Sequence, residues 1–340
     1  MDLQKFDDVS PIFVVGHARS GTTLLQMILN NHSNIAIYGE IHFFNPISDL
    51  KNIVPNLDSD KNIDVFFQLL TKIKTVQYLP DYEIFFNKVK RKLKKNKTAN
   101  YETFYKYLLE EYGAVEKATR WGDKTTMNVR YLKELLQIFP KAKIIHIIRN
   151  PKDVIASKIR VPWSPNSIII NAFKWKIDVL YGRKFAAEHE KSYIEVRYED
   201  LVSSPELEIK RILSFIDEPF ENTILDFFKK SQGYVRDEPW KEGVTNPIHL
   251  KSVGKGDKEL SKNQISLIEN IIGETWFERF NYQLSKSNAS IIMLLTTALK
   301  DIKDYINYKR NEKQEKSESD SIEPNGRQVR KLFLEAIINR

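Results

Sequence analysis

Pro11-Ile-Phe-Val-Val-Gly16-His17-Ala18-Arg19-Ser20-Gly21-Thr22-Thr23-Leu24-Leu25 reads as a strand, a glycine-bounded loop and a helix. A β-branched apolar run ends at Gly16, a tight turn closes at Gly21, and Leu24, Leu25, Ile28 and Leu29 recur at helical spacing. Such a loop aims successive backbone N–H groups and the positive end of the helix at one point, which suits phosphate or a similar oxyanion. The order nearly matches the P-loop, in which Lys and then Ser or Thr follow the second glycine, but Thr22 stands where that Lys belongs. The cation has moved to Arg19. A kinase or ATPase uses the Lys on the β- and γ-phosphates and needs a strand-end acid for magnesium, and no convincing one is found. Arg19 with Ser20, Thr22 and Thr23 instead offers a fork of donors for a terminal phosphate or sulfate, with no metal required. The bland alternative is a glycine-bounded turn without a ligand.

Further along, Ser33 to Glu40 reads as a turn and a short second strand, so Glu40 falls at a strand end. Ligands collect at the carboxyl ends of parallel strands. If this strand lies parallel to the first, Glu40 shares the rim with the anion loop. The clearest buried strand is Lys143-Ile-Ile-His-Ile-Ile-Arg149, whose continuous Ile fits the centre of a parallel sheet. It leads into Asn150-Pro-Lys-Asp-Val-Ile-Ala-Ser157, with Pro151 at the first helical position and Asp153 in the first turn. This is a second strand-to-helix corner bearing an Arg and a hydroxyl. His146 reads as a packed core residue. A further strand, Ser192 to Arg197, runs into Tyr198-Glu-Asp-Leu-Val.

Between these strands, residues 41–119 are helical, aromatic and basic, with helices expected near Ile63–Lys74, Tyr82–Lys95 and Tyr101–Tyr112. Lys88 to Lys97 is the densest positive run, read first as a solvated helix face and second as a landing patch for an acidic acceptor or a membrane surface. Residues 120–126 break the helical pattern and Met127 to Phe139 resumes it, with Asn128 as cap. Helices are expected over 167–189, 205–216 and 220–229. Gly233 to Gly256 suggests a functional loop. Leu260 to Tyr282 closes the globular part, 311–326 reads as disordered, and 327–340 offers a short terminal helix.

Composition narrows the partners without choosing one. The 340 residues carry a formal charge of +8, which favours nucleic acid, a nucleotide, an anionic glycan or an anionic membrane surface alike. With no cysteine, disulfides, a thiol nucleophile and a thiolate zinc site are excluded, and the six histidines lack metal-ligand spacing. No signal peptide is visible at Met1–Ser10, and Ala289–Leu299 is too short to span a bilayer. The expectation is a soluble, cytoplasmic protein.

Taken together, these motifs resemble the PAPS-dependent sulfotransferases, in which 3′-phosphoadenosine 5′-phosphosulfate (PAPS) gives a sulfuryl group to a hydroxyl or amine and leaves as PAP. The resemblance runs over about residues 11–282. Arg19-Ser-Gly-Thr-Thr-Leu-Leu is similar to the 5′-phosphosulfate loop, and Arg149 to Ser157 to the 3′-phosphate motif. Gly122-Asp-Lys124-Thr corresponds to a Lys-Thr-Pro segment, although Thr126 replaces the proline. Tyr198 matches a tyrosine beside the nucleotide. The pattern is nearest to tyrosylprotein and Golgi-type enzymes and their bacterial relatives, where a Glu follows the loop at the separation seen for Glu40. The cytosolic phenol and steroid branch uses a loop lysine and a histidine base, and His42 keeps that alternative open.

The resemblance implies a three-layer α/β, P-loop-like fold over residues 1–285, with a central, mostly parallel sheet. The helical insert 41–119 serves as a possible acceptor region, and 286–340 forms a helical extension. It implies Glu40 as base, with Lys124 and Arg19 catalytic. Arg19, Ser20, Gly21, Thr22, Thr23, Arg149, Ser157, Tyr198 and Lys255 hold the nucleotide, with no metal and no nucleic acid. The acceptor is expected to be a hydroxyl of a carbohydrate or another polar molecule. A P-loop nucleotide kinase and a non-catalytic domain that binds a nucleotide or sulfated glycan are the competing readings.

Overall fold

The computed structural model describes residues 9–44, 47–73, 82–230 and 243–285, together with 292, 296, 297, 299–304 and 306. One sheet contains β1 (Ile12–Val15), β2 (Ile35–Tyr38), β3 (Arg120–Asp123), β4 (Lys143–Ile148) and β5 (Tyr193–Arg197), in the order β2-β3-β1-β4-β5. Every pairing is parallel. The carboxyl ends of all these strands therefore open on one rim.

Alternation along β1 divides the core. Ile12 and Val14 pack with Leu25 and Ile28 of α1 (Thr22–Asn30) on one face. On the other face, Phe13 and Val15 join the cluster of the insert, which comprises α2 (Asp60–Leu70), α3 (Tyr82–Lys95) and α4 (Tyr101–Val115). These three helices fall where the spacing predicts them. α5 (Leu132–Ile138) packs into the insert cluster, and a third cluster joins α6 (Pro151–Lys158) and α7 (Ile168–Glu188) to helices nearer the C-terminus. Beyond β5 come α8 (Tyr198–Ser203), α9 (Pro205–Phe215), α10 (Lys255–Glu259), α11 (Lys262–Ile272) and α12 (Glu274–Arg279).

The basic run on α3 is partly neutralised. Lys90 and Lys94 reach Asp64 at 2.6 and 2.8 Å, and Lys92 reaches Glu110 and Glu111 at 2.7 and 2.6 Å. Among the described residues no helix is long and apolar enough to cross a membrane. Part of the expected 233–256 loop and the whole of 311–340 lie outside the described residues.

Residues 120–123, read as a break in helical pattern, form β3, which stands between β1 and β2. Its only large apolar side chain is Trp121, so it lacks the apolar run that marks β1 and β4. Gly122 faces Ile12 so closely that a Cβ there would lie 1.7 Å from the Ile12 carbonyl oxygen. Asp123, fully buried, accepts from Tyr105 Oη at 2.9 Å, Thr125 Oγ1 at 3.0 Å and Asn128 Nδ2 at 2.9 Å. Asn128 thus serves a buried carboxylate and does not cap a helix. The helix expected over 127–139 splits into a 3-10 turn (Thr126–Arg130) and α5, and the one expected over 220–229 is a 3-10 helix, Asn222–Lys229. His146 is buried, its Nδ1 2.5 Å from Tyr193 Oη.

Gly122→Ala should destabilise the chain by about 3 kcal/mol, because the methyl group meets backbone on the neighbouring strand and cannot be accommodated by a rotamer change. Urea unfolding monitored by circular dichroism measures the loss. Gly243→Ala, where a Cβ meets nothing within 4 Å, should leave the midpoint unchanged.

Candidate active site

The loop after β1 is held in a conformation few residues adopt. Ser20 N donates to His17 O at 3.1 Å, and Arg19 sits at φ 74°, in the left-handed region. That conformation costs a non-glycine residue roughly 1–2 kcal/mol, and here it falls on the residue read as the anion ligand. Gly21 precedes α1 at φ 97°, and a Cβ on it would lie 2.4 Å from the Tyr198 ring. The first-turn N–H groups of α1, which have no partner within the helix, face the same side.

At the end of β4, Asn150 caps α6 through Lys152 N at 3.0 Å, and Pro151 occupies the first turn. The Arg149 guanidinium lies 4.5 Å from the centre of the Tyr198 ring and donates to Arg19 O at 3.1 Å and to Ser252 O. Its Nε is buried without a partner among the described residues. Arg19 Nε donates to Ser157 Oγ at 3.0 Å, so the two corners touch. Asp153 accepts from Gly254 N at 2.9 Å and Gly256 N at 2.6 Å, which draws the segment carrying Lys255 against α6.

These elements enclose a cleft of about 640 Å³, within the usual range for small-molecule sites. Arg19, Gly21, Thr22, Thr23, Arg149, Ser157, Tyr198 and Lys255 all line it, as do Arg160 and Lys251, which were not singled out from sequence. Arg160 follows Ser157 by three positions, a spacing that keeps it near the same side of the chain. Ser20 is not on this wall. It is fully buried and its Oγ has no partner among the described residues.

Glu40, Lys124 and His42 form a separate cluster on the same rim. Lys124 is fully buried, and its Nζ lies 2.7 Å from Glu40 Oε1 while His42 Nε2 lies 3.2 Å from Oε2. The backbone sets the pair, because Lys124 N donates to Tyr38 O at 2.9 Å and so ties the end of β3 to that of β2. Burial pushes the Glu40 carboxyl up, but the Lys124 ammonium and His42 outweigh it and hold the group well below the usual carboxylate range. Burial raises Asp123 to about 6 against the opposing hydrogen bonds of Thr125 and Tyr105.

His17 was not singled out from sequence. Its Nδ1 lies 2.6 Å from Asp178 Oδ2, and Arg130 Nε donates to Asp178 Oδ1 at 2.6 Å. Burial lowers the imidazole pKa despite Asp178 and so favours the neutral ring. No local signal joins residues so far apart in the chain.

The sulfotransferase family model matches residues 11–222. The chain is 28% identical over 235 residues to an uncharacterised protein of Aquifex aeolicus, covering 64% of this chain and 27% of that one. It is 23% identical over 260 residues to protein-tyrosine sulfotransferase A of Caenorhabditis elegans, covering 74% of this chain and 62% of that one. The chain spans between 27% and 62% of the length of the curated relatives it matches. In fold it is similar to the sulfotransferase domain from the curacin biosynthetic pathway, with a TM-score of 0.53 at 18% identity, over 81% of this chain and 99% of that one. The matched span begins at the strand before the anion loop and takes in both Arg-and-hydroxyl corners, Lys124 and Tyr198, so the chain belongs to the sulfotransferase family.

Proposed function

We propose that this chain transfers a sulfuryl group from PAPS to an acceptor hydroxyl, and the observation that carries this reading is the joining of the two Arg-and-hydroxyl corners over one cleft. The fit to a nucleotide bearing two anionic ends is supported by Arg149, which lines the cleft and whose buried Nε has no partner among the described residues. Arg149 and Ser157 are the 3′-phosphate ligands in this reading. Arg19, the loop amides, Thr22 and Thr23 take the 5′-phosphosulfate, and Tyr198 and Lys255 border the nucleotide.

In the reaction, the acceptor oxygen forms a bond to sulfur while the bond from sulfur to the bridging oxygen breaks, and PAP leaves with the electron pair. Arg19 and Lys124 stabilise the negative charge that grows on the leaving phosphate. Glu40 accepts the hydroxyl proton. In the free protein Lys124 makes Glu40 a weak base, and this sets a sequence of events. When Lys124 turns toward the donor, Glu40 loses a strong stabilising charge and its affinity for a proton rises. His42 stays as the competing base. The acceptor is a polar hydroxyl compound, a carbohydrate first among them, and the location is cytoplasmic in this reading.

PAP should raise the melting temperature without added metal, whereas ATP with magnesium should not. The reverse pattern identifies a kinase. Arg149→Ala should weaken PAP more than an analogue lacking the 3′-phosphate, by about 1.5–3 kcal/mol for the lost charge-assisted bond. Isothermal titration with both ligands checks this, and equal losses reject the assignment.

Glu40→Gln should leave the PAP shift intact and lower turnover by at least about 10²-fold. Near-normal turnover in that variant together with loss in His42→Ala would transfer the role to His42. Because the folded pKa of Glu40 is depressed, its ionised form persists below the ordinary glutamate range near about 4.3, and its stabilising pair with Lys124 is lost only as pH falls further. Lys124→Met removes the charge that depresses it. The acidic limb of turnover, measured in this variant, should therefore move to higher pH.

A further inference from the structure

Among the described residues, three lysines are buried: Lys124, Lys152 and Lys158. Lys124 has Glu40, and Lys152 has Asp257 at 2.6 Å and Glu269 at 3.5 Å. Lys158 ends α6 only 6% exposed, and among the described residues its ammonium has neither a hydrogen bond nor an ion pair. It rests instead on the face of Trp163, 5.0 Å from the ring centre. Charges nearby do not compensate it. Arg19, Arg130 and Lys174 are like charges, and both oxygens of Asp178 are already engaged by His17 and Arg130. Burial first, then these like charges, lower the ammonium to about 8 against the pull of Asp178.

An enclosed ammonium that makes no ion pair and is reached by solvent only at its edge favours an anion arriving from outside. The donor nucleotide is not placed to do so. Ser157 and Arg160 line the nucleotide cleft, but Lys158 does not, and its electrostatic neighbours Lys174 and Asp178 lie on α7. One residue along a helix turns the side chain by about 100°, away from the cleft and toward α7. Arg19 is nevertheless close enough to feel its charge, so the site lies beside the loop read as holding the sulfuryl end. Trp163, 44% exposed, borders it on the outside. The Trp163 turn is pinned by Ser164 N on Val161 O at 3.2 Å and by Asn171 Nδ2 on Pro165 O at 2.8 Å, so the site is formed in advance.

We propose that Lys158, under Trp163, is an oxyanion subsite for the acceptor, so that the molecule sulfated carries an acidic group, a carboxylate or a sulfate or phosphate ester, besides its reacting hydroxyl. This rests on the sulfotransferase reading and names the acceptor class within it. Arg130 and His17 border the subsite and engage both oxygens of Asp178.

The test uses the full chain saturated with PAP and inorganic sulfate as probe, against sodium chloride of equal ionic strength. Sulfate should raise the melting temperature of the wild type by about 2 °C, as binding at roughly tenfold excess over Kd gives for a chain of this size. Lys158→Met keeps the stem, removes the charge, and should melt no lower than wild type without sulfate. It should lose the sulfate shift and keep the PAP shift. Lys158→Gln takes its place if the methionine variant fails to fold. An equal sulfate shift in the variant, or none in the wild type, overturns the proposal. If the variant weakens PAPS while leaving PAP unchanged, the anion is the donor's sulfuryl group and the acceptor assignment falls. Absence of any PAP shift in the wild type overturns the sulfotransferase reading instead.

Discussion

The hydrogen bond from Arg19 to Ser157 depends on the direction of two strands. β1 and β4 are parallel neighbours with Val15 opposite His146, so their carboxyl ends leave the sheet together and each feeds a loop and a helix on the same rim. An antiparallel pair would send the two corners to opposite edges. The arrangement also brings two guanidinium groups close together. Arg149 is anchored on the carbonyl of Arg19 itself, and Tyr198 lies against both Arg149 and Gly21. Repulsion between the cations and the left-handed backbone at Arg19 are local costs that an anion bound in the cleft, as proposed, would offset. Rule-breaking of this kind is expected where a fold binds a ligand, because the compensation comes from the ligand and from packing elsewhere.

Lys124 and Glu40 follow from the next pair of strands. β3 places Lys124 in a fully buried position, where an ammonium requires a carboxylate, and the end of β2 supplies it at 2.7 Å. The same contact suppresses the basicity of Glu40. In the proposed reaction, a site that needs both a stabiliser for the leaving group and a base for the entering hydroxyl would gain by keeping them paired until the donor arrives. Neither group then faces the other's task too early.

Much of this was legible in the sequence, for physical reasons that differ by element. β1 and β4 announce themselves as apolar runs closed by Gly16 and Arg149, and α6 by Asn150, Pro151 and Asp153 in the right order. The cleft-lining residues follow those elements. β3 was not legible, because Arg-Trp-Gly-Asp has neither strand alternation nor length, and its identity comes from its neighbours on both sides. The pairing of Lys124 with Glu40 was hidden for the same reason, since it depends on β3 standing between β2 and β1. Asn128 looked like a cap because short polar residues before a helix usually are. The three donors that converge on Asp123 bring together α4, β3 and the turn beyond it, a meeting no local pattern encodes. His17, Arg130 and Asp178 are likewise joined only by the packing of α7 against the rim.

The distribution of positive charge separates ordinary solubility from function. The densest run in the sequence, on α3, spends Lys90, Lys92 and Lys94 on acids of α2 and α4, at partly exposed sites where an ion pair contributes little and costs little. At the rim the charges are fewer but enclosed. Arg149 is 8% exposed and Lys158 6%, and Lys158 makes no ion pair among the described residues, although Asp178 is near enough to attract it. The free energy of a charge depends far more on what surrounds it than on how many neighbours share its sign along the chain. The net charge of +8 therefore points to an anionic ligand through a few enclosed residues on the sheet rim, which the count of lysines along α3 does not reveal.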